Sequence, residues 1–254
     1  MPIIEKAFRA LSTTSEEEEA VVDIEQRLWA RQVQRLVGVD EAGRGALAGP
    51  VVAAAVMLPS HCVLSPLVRD SKTLSARQRL KALEEIQRVA LAIGVGMADA
   101  AEVDRWNVRQ AARLAMKRAV MALPVTPDYL LVDAETVDVP VPQESLIKGD
   151  RKSAAIAAAS VVAKVTRDAL AEEWDEQYPQ YGFAQHKGYA TAQHRAALRR
   201  WGPTPLHRKT FVLRENASHV PGQLELWLGG ETGQATDAEP AAATERVRGT
   251  ERAT

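Results

Sequence analysis

Asp40 and Glu41 stand side by side at the end of the apolar run Val37-Gly38-Val39 and lead directly into Gly43-Arg44-Gly45. Adjacent carboxylates supply the hard oxygen ligands that Mg²⁺ or Mn²⁺ prefers. Glycine has no side chain to hold a ligand away from its N–H, so Gly43 and Gly45 permit a close backbone approach. Acids beside an approachable backbone suit metal-assisted phosphate chemistry, for which two carboxylates rarely suffice. Two more stand where strands should end: Asp133 follows Tyr129-Leu130-Leu131-Val132, and Asp150 closes Lys148-Gly149-Asp150, just ahead of a helix beginning near Ser153. Taken singly, Asp133 reads as well as a turn residue and Asp150 as one near a helix N-cap. Together with Asp40 and Glu41 they make a four-carboxylate constellation. Side chains alternate along a strand, so Asp40 and Glu41 can share a site only where the strand ends or bends.

Gly43-Arg44-Gly45-Ala46-Leu47-Ala48 also fits the G-x-G-x-x-G/A pattern of dinucleotide-binding loops. That pattern works when a helix follows and aims its N-terminus at the pyrophosphate. Here Gly49-Pro50-Val51-Val52 follows, which reads as a second strand. The dinucleotide reading also leaves the acids just before the loop unexplained, because they would repel phosphates.

The elements that position these residues follow from hydrophobic period. Residues 1–34 read as an amphipathic helical extension, with Ile24, Leu28 and Val33 among its apolar positions, packing on the flank of a domain spanning 35–215. Within that domain the pattern predicts strands Leu36–Val39 and Val51–Leu58, helix Ala76–Ala90, strand Leu91–Met97, helix Asn107–Leu123 and strand Tyr129–Val132. A short strand at Ser145–Ile147, a long Ala-rich helix from about Ser153 to Gln177 and a helix at Ala190–Trp201 follow. Strands in hairpin order and then alternating with helices predict an α/β fold, a mixed sheet flanked by helices with a helical C-terminal part. Residues 216–254 are rich in Gly, Thr, Ala and Glu and read as a disordered tail.

The formal net charge of −1 hides an asymmetry. Both ends are acidic, whereas Gln177 to Arg214 contains no carboxylate and holds Lys187, Arg195, Arg199, Arg200, Arg208, Lys209 and Arg214. Such a stretch suits a phosphate-tracking surface and, equally, an ordinary solvated basic face. Cys62 is the only cysteine, which excludes an intrachain disulfide and a cysteine zinc site and makes the cytoplasm the default location. His186, His194, His207 and His219 fit no short metal-binding spacing. The longest apolar run, Ala46 to Leu58, is broken by Gly49 and Pro50 and falls short of the roughly 20 residues of a membrane span. Met1 to Glu19 lacks the build of a signal peptide.

Beyond these readings, the chain resembles ribonuclease HII, the bacterial type 2 ribonuclease H, over about Ile24 to Val212. The resemblance rests on Asp-Glu-Ala-Gly-Arg-Gly at Asp40–Gly45, Asp-Ser-Lys at Asp70–Lys72, Lys-Gly-Asp at Lys148–Asp150 and the run Ala157 to Asp168. It continues through Tyr181 to Tyr189 and through Gly202-Pro203 with His207-Arg208. It implies a ribonuclease H-like fold in which Asp40, Glu41, Asp133 and Asp150 bind two divalent ions, Mg²⁺ or Mn²⁺. It implies an endonuclease that cuts the RNA strand of RNA–DNA hybrids and incises 5′ to single ribonucleotides in duplex DNA, leaving 5′-phosphate and 3′-hydroxyl ends. Gly43, Arg44 and Gly45 match the loop that contacts the 2′-hydroxyl, and Tyr189 the tyrosine at the RNA–DNA junction. Lys72, Lys148, Lys164, His186 and Lys187 are expected phosphate contacts. Ser160, Lys164 and Asp168 form a polar stripe that faces either substrate or a structural network. Ala46 and Ala134 stand where family members commonly have proline and glycine.

In the tail, Gln223-Leu224-Glu225-Leu226-Trp227 resembles the peptide by which bacterial repair proteins bind the replication sliding clamp. Gln223, Leu224, Leu226 and Trp227 are the expected anchors. The chain is expected to act as a monomer with no membrane partner. A non-enzymatic, clamp-tethered nucleic-acid binder is the alternative.

Overall fold

Val51-Val52-Ala53-Ala54-Ala55-Val56-Met57 is buried at every position, which a strand achieves only when both faces of its sheet are covered. The computed structural model describes residues 24–69 and 74–216. The stretches 1–23, 70–73 and 217–254 lie outside the described residues, and with them Lys72, the Asp-Ser-Lys motif and the clamp-like peptide. The chain order is α1 (24–30), β1 (Leu36–Ala42), β2 (Val51–Met57), α2 (Pro66–Arg69), α3 (Ala76–Val89), β3 (Ala92–Ala98), α4 (Ala100–Met121), β4 (Tyr129–Asp133) and β5 (Gln143–Leu146). A 3₁₀ turn (Gly149–Arg151) and helices α5 (Ala154–Gln177), α6 (Phe183–His186), α7 (Ala192–Trp201) and α8 (Lys209–Asn216) complete it.

The five strands form one mixed sheet in the order β3-β2-β1-β4-β5. β1 runs antiparallel to β2 and parallel to β4. β1 leads straight into the glycine loop and back along β2, so a strand follows Pro50 and no helix does. Helix α4 covers one face, packing Ala111, Ala112, Ala115 and Met116 against Val37, Val39, Val51, Ala53 and Ala55. Helices α3 and α5 cover the other, where Ala154 to Ala163 meet Ala54 and Val56.

Alanines let α5 lie close to the sheet, and Gly38 removes the last obstacle. A Cβ built on Gly38 would sit 2.0 Å from the carbonyl carbon of Ala155. Helix α5 therefore rests directly on the middle of β1, two residues before Asp40.

The N-terminal segment is part of the core and caps a helix. Leu28 of α1 is buried with Leu36, Leu131, Leu146 and Ile156. Buried Glu25 accepts hydrogen bonds from Ser153 Oγ at 2.7 Å and from the backbone N–H of Ala155 at 2.9 Å. A carboxylate at the start of α5 satisfies helix donors that have no intrahelical partner and matches the positive end of the helix dipole. The helix itself covers only residues 24–30 of the described segment, and Val33 lies beyond it after a turn with Gln32 at φ 63°.

Helix α4 begins earlier than its apolar period suggests. Asp99 and Glu102 form a capping box that starts it at Ala100. At Asn107 the backbone leaves helical geometry (φ 66°, ψ 161°), and the Asn107 side chain accepts from the N–H groups of Arg109 and Gln110. The predicted start at Asn107 is thus a restart with its own cap.

Gly38→Ala would force α5 off β1. The variant should be destabilised by about 3 kcal/mol, the upper range for overpacking, read as a lowered midpoint in a denaturant titration.

Candidate active site

Asp40 and Glu41 both lie within β1, which continues to Ala42, rather than beyond its end as alternation seemed to require. Asp40 shares its parity with Gly38 and faces α5, where Ser160 hydrogen-bonds it. Glu41 shares its parity with Val37 and Val39 and faces the α4 side. The Glu41 N–H donates to Asp40 Oδ1 at 2.7 Å. Asp133 ends the adjacent parallel strand, where Val132 is in register with Val39. Its charge acts on both Asp40 and Glu41, so the two faces meet at the strand ends. Asp133 Oδ1 accepts from the Gly149 N–H at 2.6 Å, which ties the 3₁₀ turn carrying buried Asp150 to the same corner.

The electrostatics are those of acids held together without enough positive charge. Burial first, then the charges of Glu41 and Asp133, raise the Asp40 pKa well above the ordinary aspartate value, against smaller opposing hydrogen bonds from Ser160 and the Glu41 backbone. Burial also raises Glu41; Arg44 opposes it, while Asp133 and Glu135 add to it. Glu41 Oε2 is buried with no hydrogen-bond partner.

Glu135 is a site residue that the sequence reading missed, having no motif to mark it. It is buried two residues past Asp133 and accepts from Arg109 Nε at 3.0 Å. Arg44 reaches from Glu41 (3.2 Å) towards Glu135 (3.7 Å), so its guanidinium serves as a local counter-charge between two acids. The intervening Ala134 has φ 52°, the left-handed region in which glycine is at ease and alanine is strained.

The glycine loop is held from behind by two buried guanidiniums. Arg208 donates from Nε to Gly49 O (3.0 Å), from one terminal nitrogen to Arg44 O (2.8 Å) and from the other to Gly43 O (2.8 Å). Arg167 donates to the carbonyls of Pro50, Lys187 and Ala48. Burial lowers both arginine pKa values, and Arg167 adds to the effect on Arg208, which falls to about 10. Gly43 has φ 95°, and a Cβ there would lie 2.0 Å from Arg167 Nε, so this position requires glycine twice over. Because the peptide is trans and planar, tying down the carbonyls of Gly43 and Arg44 turns the N–H groups of Arg44 and Gly45 away from Arg208. Gly45 is exposed.

Tyr189 is half-buried beside this loop. The Gly188 carbonyl accepts from the N–H groups of Leu47 and Ala48, and the Tyr189 ring faces the Lys164 ammonium (5.7 Å) and the Arg167 guanidinium (5.1 Å). Lys164 and Asp168 pair at 2.5 Å. The polar stripe of α5 thus divides, with Ser160 at the acids and Lys164–Asp168 in an ion pair under Tyr189. Lys148 is exposed in a left-handed conformation, and Lys187 pairs with Glu172 at 3.1 Å.

Two expectations need correction. His186 is not placed as a phosphate contact: it is buried, with Nε2 bound to Tyr181 O and Nδ1 accepting from the Gly188 N–H. Nor is the carboxylate-free stretch one continuous basic surface, because Arg208 is wholly buried and Lys187 is paired.

The residues fit a divalent cation. The donors are hard carboxylate oxygens, one of them a buried oxygen without a partner, and two carboxyls are held above their ordinary pKa first by burial and then by neighbouring carboxylates, a charge a cation would offset. Among the described residues, no three His, Cys, Asp or Glu side chains are already disposed to hold an ion by themselves. Mg²⁺-type sites that keep water and substrate oxygens as ligands need no such cage.

A mixed sheet with acids at the ends of adjacent parallel strands, flanked by helices, is a ribonuclease H-like architecture, and its acids suit metal-assisted phosphate chemistry. The family model of ribonuclease HII matches residues 37–214. Ribonuclease HII of Geobacillus thermodenitrificans is 53% identical over 194 residues, covering 76% of this chain and 74% of that one. The structure of the PCNA:RNase HII complex from Archaeoglobus fulgidus aligns with TM-score 0.58 and 25% identity, covering 68% of this chain and 93% of that one. The crystal structure of Bst-RNase HIII in complex with Mn²⁺ aligns with TM-score 0.59 and 20% identity, covering 75% and 71%. The chain belongs to the ribonuclease HII family, and is therefore a metal-dependent endonuclease acting on nucleic acid rather than a non-catalytic binder.

The raised pKa of Asp40 gives a signed prediction. An acid whose folded-state pKa is raised holds its proton more tightly folded than unfolded. It therefore favours folding below about pH 3.8, its ordinary value, and costs stability as pH rises above that. Asp40→Asn should raise the melting temperature of the metal-free protein at pH 7, and the gain over wild type should shrink towards pH 4.

Proposed function

We propose that the protein cuts the RNA strand of RNA–DNA hybrids and incises 5′ to single ribonucleotides in duplex DNA, leaving 5′-phosphate and 3′-hydroxyl ends. The observation that carries this reading is the electrostatically interacting set Asp40, Glu41 and Asp133, with Asp150 tied to the same corner, next to a glycine loop in which the N–H groups of Arg44 and Gly45 turn away from Arg208. Asp40, Glu41, Asp133 and Asp150 would hold two divalent ions, Mg²⁺ or Mn²⁺, which would supply activation of a water and charge stabilisation at the leaving 3′-oxygen. Gly43, Arg44 and Gly45 read one 2′-hydroxyl through backbone groups, the feature that separates RNA from DNA. Tyr189 packs on the sugar at the junction. Lys72, Lys148, Lys164 and Lys187 contact phosphates.

Incision of a labelled duplex carrying one ribonucleotide tests this directly. Product should appear with Mg²⁺ or Mn²⁺ and vanish with chelator, and Asp150→Asn should lower the rate at least about a hundredfold. Cutting without metal, or by the variant at full rate, would contradict the mechanism.

A sliding clamp is the second proposed partner, through Gln223, Leu224, Leu226 and Trp227. The motif supports it, as does the solved complex of a related archaeal enzyme with PCNA. Purified bacterial clamp should retain the full chain on a column and lose it after Leu226→Ala with Trp227→Ala; equal retention would sink the idea.

A further inference from the structure

Behind Tyr189 lie three buried histidines that the proposed chemistry does not use. His186 and His194 stack, with centroids 4.3 Å apart and planes at 11°. His194 Nε2 and His207 Nε2 are 2.9 Å apart. Phe183 packs on all three rings and Tyr181 on His207. No carboxylate occurs anywhere in the stretch 177–214 that supplies them.

The outer contacts fix where the protons of the pair sit. His194 Nδ1 lies 3.0 Å from the Tyr189 carbonyl oxygen, which only accepts, so that nitrogen carries hydrogen. His207 Nδ1 lies 2.9 Å from the Thr204 backbone nitrogen, whose N–H only donates, so that ring nitrogen is bare, and the Thr204 hydroxyl, also 2.9 Å away, donates to it in turn. With both rings neutral, His207 carries its proton on Nε2 and donates it to the bare Nε2 of His194. One arrangement satisfies every atom: Thr204 N–H to His207, His207 to His194, His194 to the carbonyl of Tyr189. Burial holds both rings neutral, with the His194 pKa at about 4 and that of His207 at about 3.

The chain joins two segments that both grip the glycine loop. At one end Thr204 begins the turn leading to Arg208, whose N–H donates to Leu47 O. At the other, Gly188 and Tyr189 border Leu47 and Ala48.

We propose that His194 and His207 are positioning residues whose single neutral tautomer pair fixes the backbone of Tyr189, and so sets the tyrosine against the ribose beside the glycine loop. The inference rests on the reading of Tyr189 as the sugar sensor. His194 bonds the Tyr189 carbonyl directly, so the effect of replacing His194 should largely disappear when the tyrosine side chain is gone.

The test is a double-mutant cycle on kcat/KM for a single-ribonucleotide duplex, using wild type, His194→Phe, Tyr189→Ala and the double variant. His194→Phe should lose about tenfold in the wild-type background and less than about twofold in the Tyr189→Ala background. His194→Asn, whose amide can replace the Nδ1–H donor, should recover most of the loss. If Tyr189→Ala alone changes nothing, the sugar-sensor reading fails. If Tyr189→Ala impairs incision but the two losses multiply, the positioning role fails and the sensor reading stands. A second measurement needs no variant: two-bond ¹H–¹⁵N spectra of the wild-type protein should show His194 protonated on Nδ1 and His207 on Nε2. Any other tautomer pair overturns the inference, even if His194→Phe does not fold.

Discussion

The arrangement depends on two buried arginine side chains that donate to backbone carbonyls. Arg167 and Arg208 together donate six hydrogen bonds to backbone carbonyls, five of them in the Gly43–Pro50 loop. A planar guanidinium can satisfy several carbonyls at fixed angles, which a lysine cannot. Burying two like charges together is costly, and the lowered pKa values record that cost. The return is a loop without regular structure whose shape is nevertheless determined. Five of its carbonyls accept from the two guanidiniums behind it, which turns the N–H groups of Arg44 and Gly45 away from Arg208.

Around that loop the molecule separates opposite electrical environments. The acids occupy the ends of β1 and β4, where strand parity sends Asp40 and Glu41 to different faces and the neighbouring strand's Asp133 acts on both. Arg167 and Arg208 stand behind the loop, whereas Arg44 spans Glu41 and Glu135 on the acid side and Arg109 pairs with Glu135. Such a site favours added positive charge at the acids. Helix α5 holds the two halves in register. It lies against Gly38, contributes Ser160 to Asp40 and Arg167 to the loop, and is capped at its start by Glu25.

Much of this was legible in the sequence because it rests on local signals. Apolar runs gave the strands, and Pro50 followed by valines showed that no helix follows the glycines. Asp133 and Asp150 were conspicuous because acids closed apolar or glycine-flanked segments. What stayed hidden depends on contacts far apart in the chain. Glu25 caps a helix that begins 128 residues later at Ser153. Glu135 looks like any surface acid until Arg109 and Arg44 close on it. His186 was expected at a phosphate because it lies in a motif shared with ribonuclease HII, whereas its partners here are backbone groups within five residues. Arg208 looked like part of a basic surface for the same reason: charge is visible in a sequence, and burial of a charge is not.

The central claim is that Arg208 shapes a backbone reader for a single ribose. Its most direct test is affinity, in chelator, for a duplex carrying one ribonucleotide and for the same duplex made wholly of DNA. Wild type should prefer the ribonucleotide by about tenfold, on the order of 1.4 kcal/mol. Arg208→Lys keeps the charge but not the fork of donors, so the folded variant should bind both duplexes alike. A folded Arg208→Lys protein that retained the full preference would contradict the account.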